Sequence, residues 1–259
     1  MIIRIELKIA VLLFLSQIIV GCATKLGIDP VTTRFDVPET EGKGQLGLSV
    51  FVSESPELVL ATASDSIFSD STVFVDNENR IERDLVVGTN GSYGLGDRID
   101  VFVRANTYGP YVFGVKTDWL GKYFRILNSS LRFSNSIFLG QGKLFQQSHS
   151  KGDILLEENV SGEVWDISAN VGFRFSKKVI VYINTFYSEY RYGGNITQNG
   201  QVIVRDDSQG TTIGSMLGVR YDFDNLNSLI LEGGVTEINW IHYQTTRVGT
   251  AGLSLRMPF

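Results

Sequence analysis

Few side chains in this sequence are equipped for chemistry. It holds one cysteine and two histidines. His149 sits in the polar stretch Gln146-Gln147-Ser148-His149-Ser150-Lys151, and His242 lies between Ile241 and Tyr243. An imidazole beside a serine or a carboxylate could serve general-base or nucleophilic chemistry. No catalytic motif surrounds either histidine, so both read as solvated or interfacial residues. With histidine this sparse and a single thiol, no metal cluster is expected, nor any cofactor. Asp76, Glu78, Glu82, Asp84, Glu157 and Glu158 could bind divalent cations at the headgroup layer, but such runs more often are solvated loop acids. One thiol cannot form a disulfide within the chain. Two features with chemical content remain: Cys22, placed after small and aliphatic residues, and a set of charges that recurs at one parity from Asp100 onward.

Each feature depends on the element that carries it. Arg4 and Lys8 precede a mostly apolar run from Ile9 to Val20. At about 12 residues the run is too short to span a membrane as a helix, which takes roughly 20, but it suits the apolar region of an export signal. It ends in Ile19-Val20-Gly21-Cys22, which resembles the lipobox of bacterial lipoproteins. The resemblance implies a signal peptide over 1–21, a diacylglyceryl group on the Cys22 thiol, and a further palmitate-type chain on the new amino group. Ala23 rather than Asp after the cysteine implies sorting to the outer membrane. Residues 22–43 show no period and carry Pro30, Pro38 and several charges, so they read as a periplasmic linker.

From Gly44 onward alternation dominates, and no helical period is sustained. Ten alternating segments stand out. They begin with Leu46, Leu48, Val50 and Val52, continued by Leu58 and Leu60, and end with Gly249 to Phe259. The cleanest is Trp165, Ile167, Ala169, Val171, Phe173 and Phe175. About ten residues per segment is the span of a tilted membrane strand. The links at 94–98, 175–178 and 222–227 are short; those at 53–84, 142–163 and 190–211 are long. The expectation is an all-β chain forming a single closed antiparallel transmembrane β-barrel over 44–259, of about ten strands, with eight or twelve as alternatives.

The second face decides which side is inside. In one strand it reads Val164, Asp166, Ser168, Asn170, Gly172 and Arg174, the small and polar content of a narrow lumen. Arg104, Lys116, Arg132, Arg174, Arg220 and Arg256 share this parity with Asp100, Asp118, Asp166, Asp222 and Glu232. Six bases against five acids suit a salt-bridged, largely filled interior, because charges out of water must be paired. Aromatic residues gather near the strand ends, as interfacial girdles do.

These strands, the Tyr93-Gly94-Leu95-Gly96-Asp97-Arg98-Ile99-Asp100 hairpin and the terminal Phe259 resemble the small Gram-negative outer-membrane β-barrels. The resemblance implies that Phe259 is an assembly signal read by the barrel-assembly machinery, and that both termini are periplasmic. The implied partners are outer-membrane lipid and the barrel-assembly and lipoprotein-sorting machineries. The lipobox departs from most such barrels, which carry a plain signal peptide.

A net charge of −5 without a basic block excludes a nucleic-acid partner. The expected function is that of a lipid-anchored, non-catalytic barrel, structural or passively conducting small solutes. Ten strands leave a narrow lumen, whereas aqueous pores have about 16. The same residues also admit a surface-binding or adhesion protein working through its long loops, a barrel enzyme acting on lipid or peptide, and a lipid-tethered soluble calyx.

Overall fold

The computed structural model describes residues 24–30, 32–65, 73–76, 80–107, 109–118, 124–125, 132–149, 156–223, 227–241 and 244–258. Its strands are β1 (Thr24–Ile28), β2 (Leu46–Asp65), β3 (Val73–Asp76), β4 (Arg80–Gly94), β5 (Ile99–Asn106), β6 (Tyr111–Thr117), β7 (Phe124–Arg125), β8 (Arg132–His149), β9 (Leu156–Arg174), β10 (Val179–Gln198), β11 (Gln201–Asp222), β12 (Ser228–Trp240) and β13 (Thr246–Pro258). Ten of them form an antiparallel ring, β2-β4-β5-β6-β8-β9-β10-β11-β12-β13, closed where β13 pairs β2. They coincide with the ten alternating segments of the sequence. β1 and β3 add to the far part of β2, and β7 pairs β8.

The pleat separates the two faces as the parity requires. Ile183, Leu217 and Leu231 leave 53, 56 and 53 % of their surface open, whereas Asn184, Thr212 and Thr236 leave none. The apolar row therefore points away from the barrel axis. Trp165 and Phe173, both exposed, stand eight residues apart on β9. That is about 26 Å of strand, or about 20 Å of height at the usual tilt of a membrane barrel's strands, within the span of its apolar band. Tyr221 and Phe223 meet edge to face at the turn end of β11, with ring centres 5.2 Å apart.

Three expectations change. First, the long links are mostly strand. β10 and β11 pair continuously up to Gln198 and Gln201, leaving only Asn199-Gly200 as the turn. Both turn residues have positive φ, 49° and 81°, which a two-residue hairpin turn demands and Asn-Gly supplies. β8 and β9 likewise pair out to His149 and Glu157.

Second, Leu58 does not share the outward face of Val52. It is fully buried in an interior apolar cluster with Leu26, Ile28, Val112, Val164 and Tyr190. β2 is paired to β13 only as far as Glu54. Beyond Pro56, which has no N–H for a ladder, it takes β1 as its neighbour instead.

Third, the segment expected to be a periplasmic linker lies inside the ring. Thr24 pairs Ala63 at the hairpin end of β2, and the described residues of the strap, 29–30 and 32–43, then run down the lumen to the short turns, where Leu46 opens β2. Asp29, Thr32, Thr33, Arg34, Phe35 and Val37 are all buried. The described ends of the chain, Thr24 and Pro258, thus lie at opposite ends of the barrel, since Pro258 pairs Gly47.

Candidate functional site

The feature that organises the interior is the strap formed by residues 29–43. It has almost no secondary structure of its own, so its backbone groups must find partners on the wall. Wall side chains supply them. The Arg34 and Phe35 N–H groups both donate to Oε2 of Glu232, at 2.6 and 2.8 Å. The Glu41 N–H donates to Asp100 at 3.0 Å. Lys116 donates to the carbonyls of Glu39 and Val37 at 2.8 and 3.4 Å. At the turn end Gly44 donates to the Gly94 carbonyl and Gly94 to that of Gln45, at 2.8 and 3.0 Å.

The strap's own charges then engage the wall from top to bottom. Arg34 reaches Asp166 and donates to Ser188 at 2.7 Å, with its guanidinium 4.1 Å from the centre of the Phe186 ring. Asp36 accepts from Arg104 at 2.6 Å. Glu39 takes a bidentate pair from Arg174, at 2.8 and 2.5 Å, with Arg220 at 3.8 Å. Glu41 meets Arg256 and accepts from Ser92 at 2.5 Å. These contacts tie the strap to β4, β5, β6, β9, β10, β11, β12 and β13.

The lumen charges named from the sequence are brought together, but in a different pairing from wall to wall alone. Direct wall pairs are Lys116–Asp100 at 3.3 Å, Arg104–Asp166 at 3.4 Å, Arg174–Asp222 at 2.9 Å and Arg220–Asp222 at 2.5 Å. Asp118 is buried beside the turn end, and its N–H donates to the Arg98 carbonyl at 2.9 Å. The Arg132 backbone pairs with Arg174, while its side chain lies outside the described residues. Cys22, His242 and Phe259 also lie outside them. Sequence reasoning missed Arg34, Asp36, Glu39 and Glu41, because nothing local to an aperiodic segment ties it to strands that come later in the chain.

Small wall residues make the space. A Cβ on Gly252 would press on the Phe35 ring, and one on Gly172 on Pro38. On β11, side chains at Gly210, Gly214 and Gly218 would collide with Trp240, Phe186 and Tyr182. That four-residue spacing is visible in Gly210-Thr-Thr-Ile-Gly214-Ser-Met-Leu-Gly218. Among the described non-glycine residues of the strap, Phe35 alone has a positive φ, 52°, which costs a bulky side chain of order 1–3 kcal/mol. The Glu232 anchor and the ring of Phe51, 5.1 Å away, hold it there.

Beside the strap remains a cavity of about 50 Å³, lined by Glu39, Glu41, Asn90, Lys116, Arg220 and Arg256 among others. Among the described residues no group of three or more His, Cys, Asp or Glu side chains is placed to hold a metal ion.

No family model matches the sequence, and no curated protein matches it. Solved structures similar to it include the attachment invasion locus protein Ail of Yersinia pestis, 10 % identical, TM-score 0.31, over 84 % of this chain and 99 % of that one. Neisserial surface protein A is 15 % identical, TM-score 0.34, over 84 % and 100 %. The outer membrane protein OprG of Pseudomonas aeruginosa is 10 % identical, TM-score 0.22, over 86 % and 99 %.

Proposed function

We propose that this chain is a non-catalytic outer-membrane β-barrel, closed by its own strap, and that its role is structural: a lipid-embedded platform for tall hairpins. The observation that carries the reading is the strap itself. It occupies the lumen and engages charged wall residues on six strands, β5, β6, β9, β11, β12 and β13. The exposed apolar row and the buried polar row support a membrane setting, because a solvated calyx would bury the first and expose the second. In this reading, passive conduction of small solutes requires the strap to leave its seat.

Planar-bilayer recording on the refolded chain tests this. The intact protein is expected to give no stable conductance steps. Asp36→Asn/Glu39→Gln/Glu41→Gln, which removes the strap's three carboxylate clamps, is expected to give intermittent openings. Steady conduction by the unaltered protein would sink the occluded-barrel reading.

A second reading, surface binding through the hairpins, draws on the height of β10 and β11, 20 and 22 residues, about twice what crossing the membrane takes. Cys22 as the lipid attachment point and Phe259 as the assembly signal stand as part of the same proposal, with the lipoprotein-sorting and barrel-assembly machineries as partners. Deleting Phe259 is expected to lower the amount of assembled protein in outer-membrane fractions.

A further inference from the structure

The course of the strap fixes the end of the barrel from which the N-terminal part of the chain departs. Thr24, Lys25, Leu26, Gly27 and Ile28 are held in register against Ala63 to Leu58 of β2. Leu26 is fully buried and its side chain lies over Gly194 of β10. The Gly27 N–H lies 3.4 Å from Oε1 of Glu158 on β9. These contacts pin the segment among the hairpins. Ala63 is sixteen residues along β2 from Gly47, where the C-terminal strand ends, a distance of about 53 Å along the strand. Two peptide steps, through Ala23, link Cys22 to Thr24. They span at most about 7 Å, far less than the roughly 30 Å of a bilayer's hydrocarbon core. In outer-membrane barrels the short turns face the periplasm and the long connections face outward. Here the short turns are at 94–98 and 175–178 and the tall hairpins at the opposite end.

We infer that the N-terminal segment leaves the barrel on the outward, hairpin side. The barrel then carries its own N-terminal segment across the membrane through its lumen. The C-terminal strand ends at the periplasmic face. This rests on the outer-membrane part of the reading above.

The experiment uses the full chain in cells, with epitopes inserted singly after Ala23, in the Asn199-Gly200 turn, or between Ser176 and Lys177. The expected result is equal antibody labelling of the first two in intact and permeabilised cells, and labelling of the third only after permeabilisation. Labelling of Asn199-Gly200 in intact cells, with the Ala23 insert reached only on permeabilisation, overturns the inference and leaves the barrel reading standing. Failure of the Asn199-Gly200 insert to label intact cells overturns both. A second variant, Thr24→Cys/Ala63→Cys, guards against an insert that blocks threading. It is expected to form a disulfide in the assembled barrel, and absence of that cross-link overturns the inference.

Discussion

Glu232 and Phe35 are joined through a single oxygen: Oε2 of Glu232 accepts the N–H of Phe35 and also that of Arg34. Two successive amides converging on one carboxylate form the kind of backbone nest that binds anions elsewhere; here the anion belongs to the barrel wall. Phe35 holds a left-handed φ at this point of the strap. Glu232→Ala leaves two buried N–H groups without an acceptor, at a cost of about 1–3 kcal/mol each. The expected outcome is fast amide exchange in residues 32–37 with the barrel strands still protected, read by hydrogen–deuterium exchange. Equal protection in the variant would show that Glu232 does not hold the strap.

Arg34 and Asp166 give a second test. Both are buried, and Arg34 also donates to Ser188. Removing one partner of a buried pair costs about 3–5 kcal/mol because the other charge is stranded. Arg34→Met is expected to lower the urea midpoint of the folded barrel accordingly. Arg34→Met/Asp166→Leu is expected to recover part of the loss, since Arg104 still has Asp36. A double variant weaker than the sum of the singles would contradict the pairing.

Gly218 and Tyr182 test the interior packing. Gly218→Leu would drive a side chain into the Tyr182 ring, and overpacking of this kind costs about 1–3 kcal/mol. Tyr182→Ala in the same chain opens the space and is expected to restore heat-resistant migration on gels, although it removes the 3.3 Å hydrogen bond from Tyr182 to Glu232.

Leu217 and Val202 locate the membrane boundary. Both are exposed on β11, at 56 and 59 %, but Val202 lies next to the hairpin tip. Leu217→Arg is expected to cost about 2–4 kcal/mol, the depth-dependent penalty of a cation on the lipid face. Val202→Arg is expected to be near neutral. Similar penalties at both sites in lipid-vesicle unfolding would place the bilayer elsewhere.

The wall was legible in the sequence because its rule is local. A period of two assigns Leu217 outward and Met216 inward without knowledge of any other strand. The Asn199-Gly200 turn was also written locally, but the polar Gln198 and Gln201 on either side made the stretch resemble a loop. The strap was not legible, because its partners are remote: Arg256 is 215 positions from Glu41. Pro30, Pro38 and the mixed charges of 29–43 are what an exposed linker also shows. The inward Arg and Asp of the wall announced that charges had to be matched. They did not announce that a separate stretch of chain would supply half of the matching groups.

The β2–β13 seam has a bearing on the order of events during biogenesis. It joins only eight residue pairs, Gly47–Pro258 through Glu54–Ala251, against twenty for β10 with β11. It also joins the first ring strand made by the ribosome to the last. A segment enclosed by a ring cannot enter sideways once the ring is shut: it is either in place before β13 zips onto β2 or is drawn in end-on through a mouth of the barrel. Arg256 near the end of β13 grips Glu41 just ahead of β2, so the last strand made and the strap meet at the seam that closes the ring.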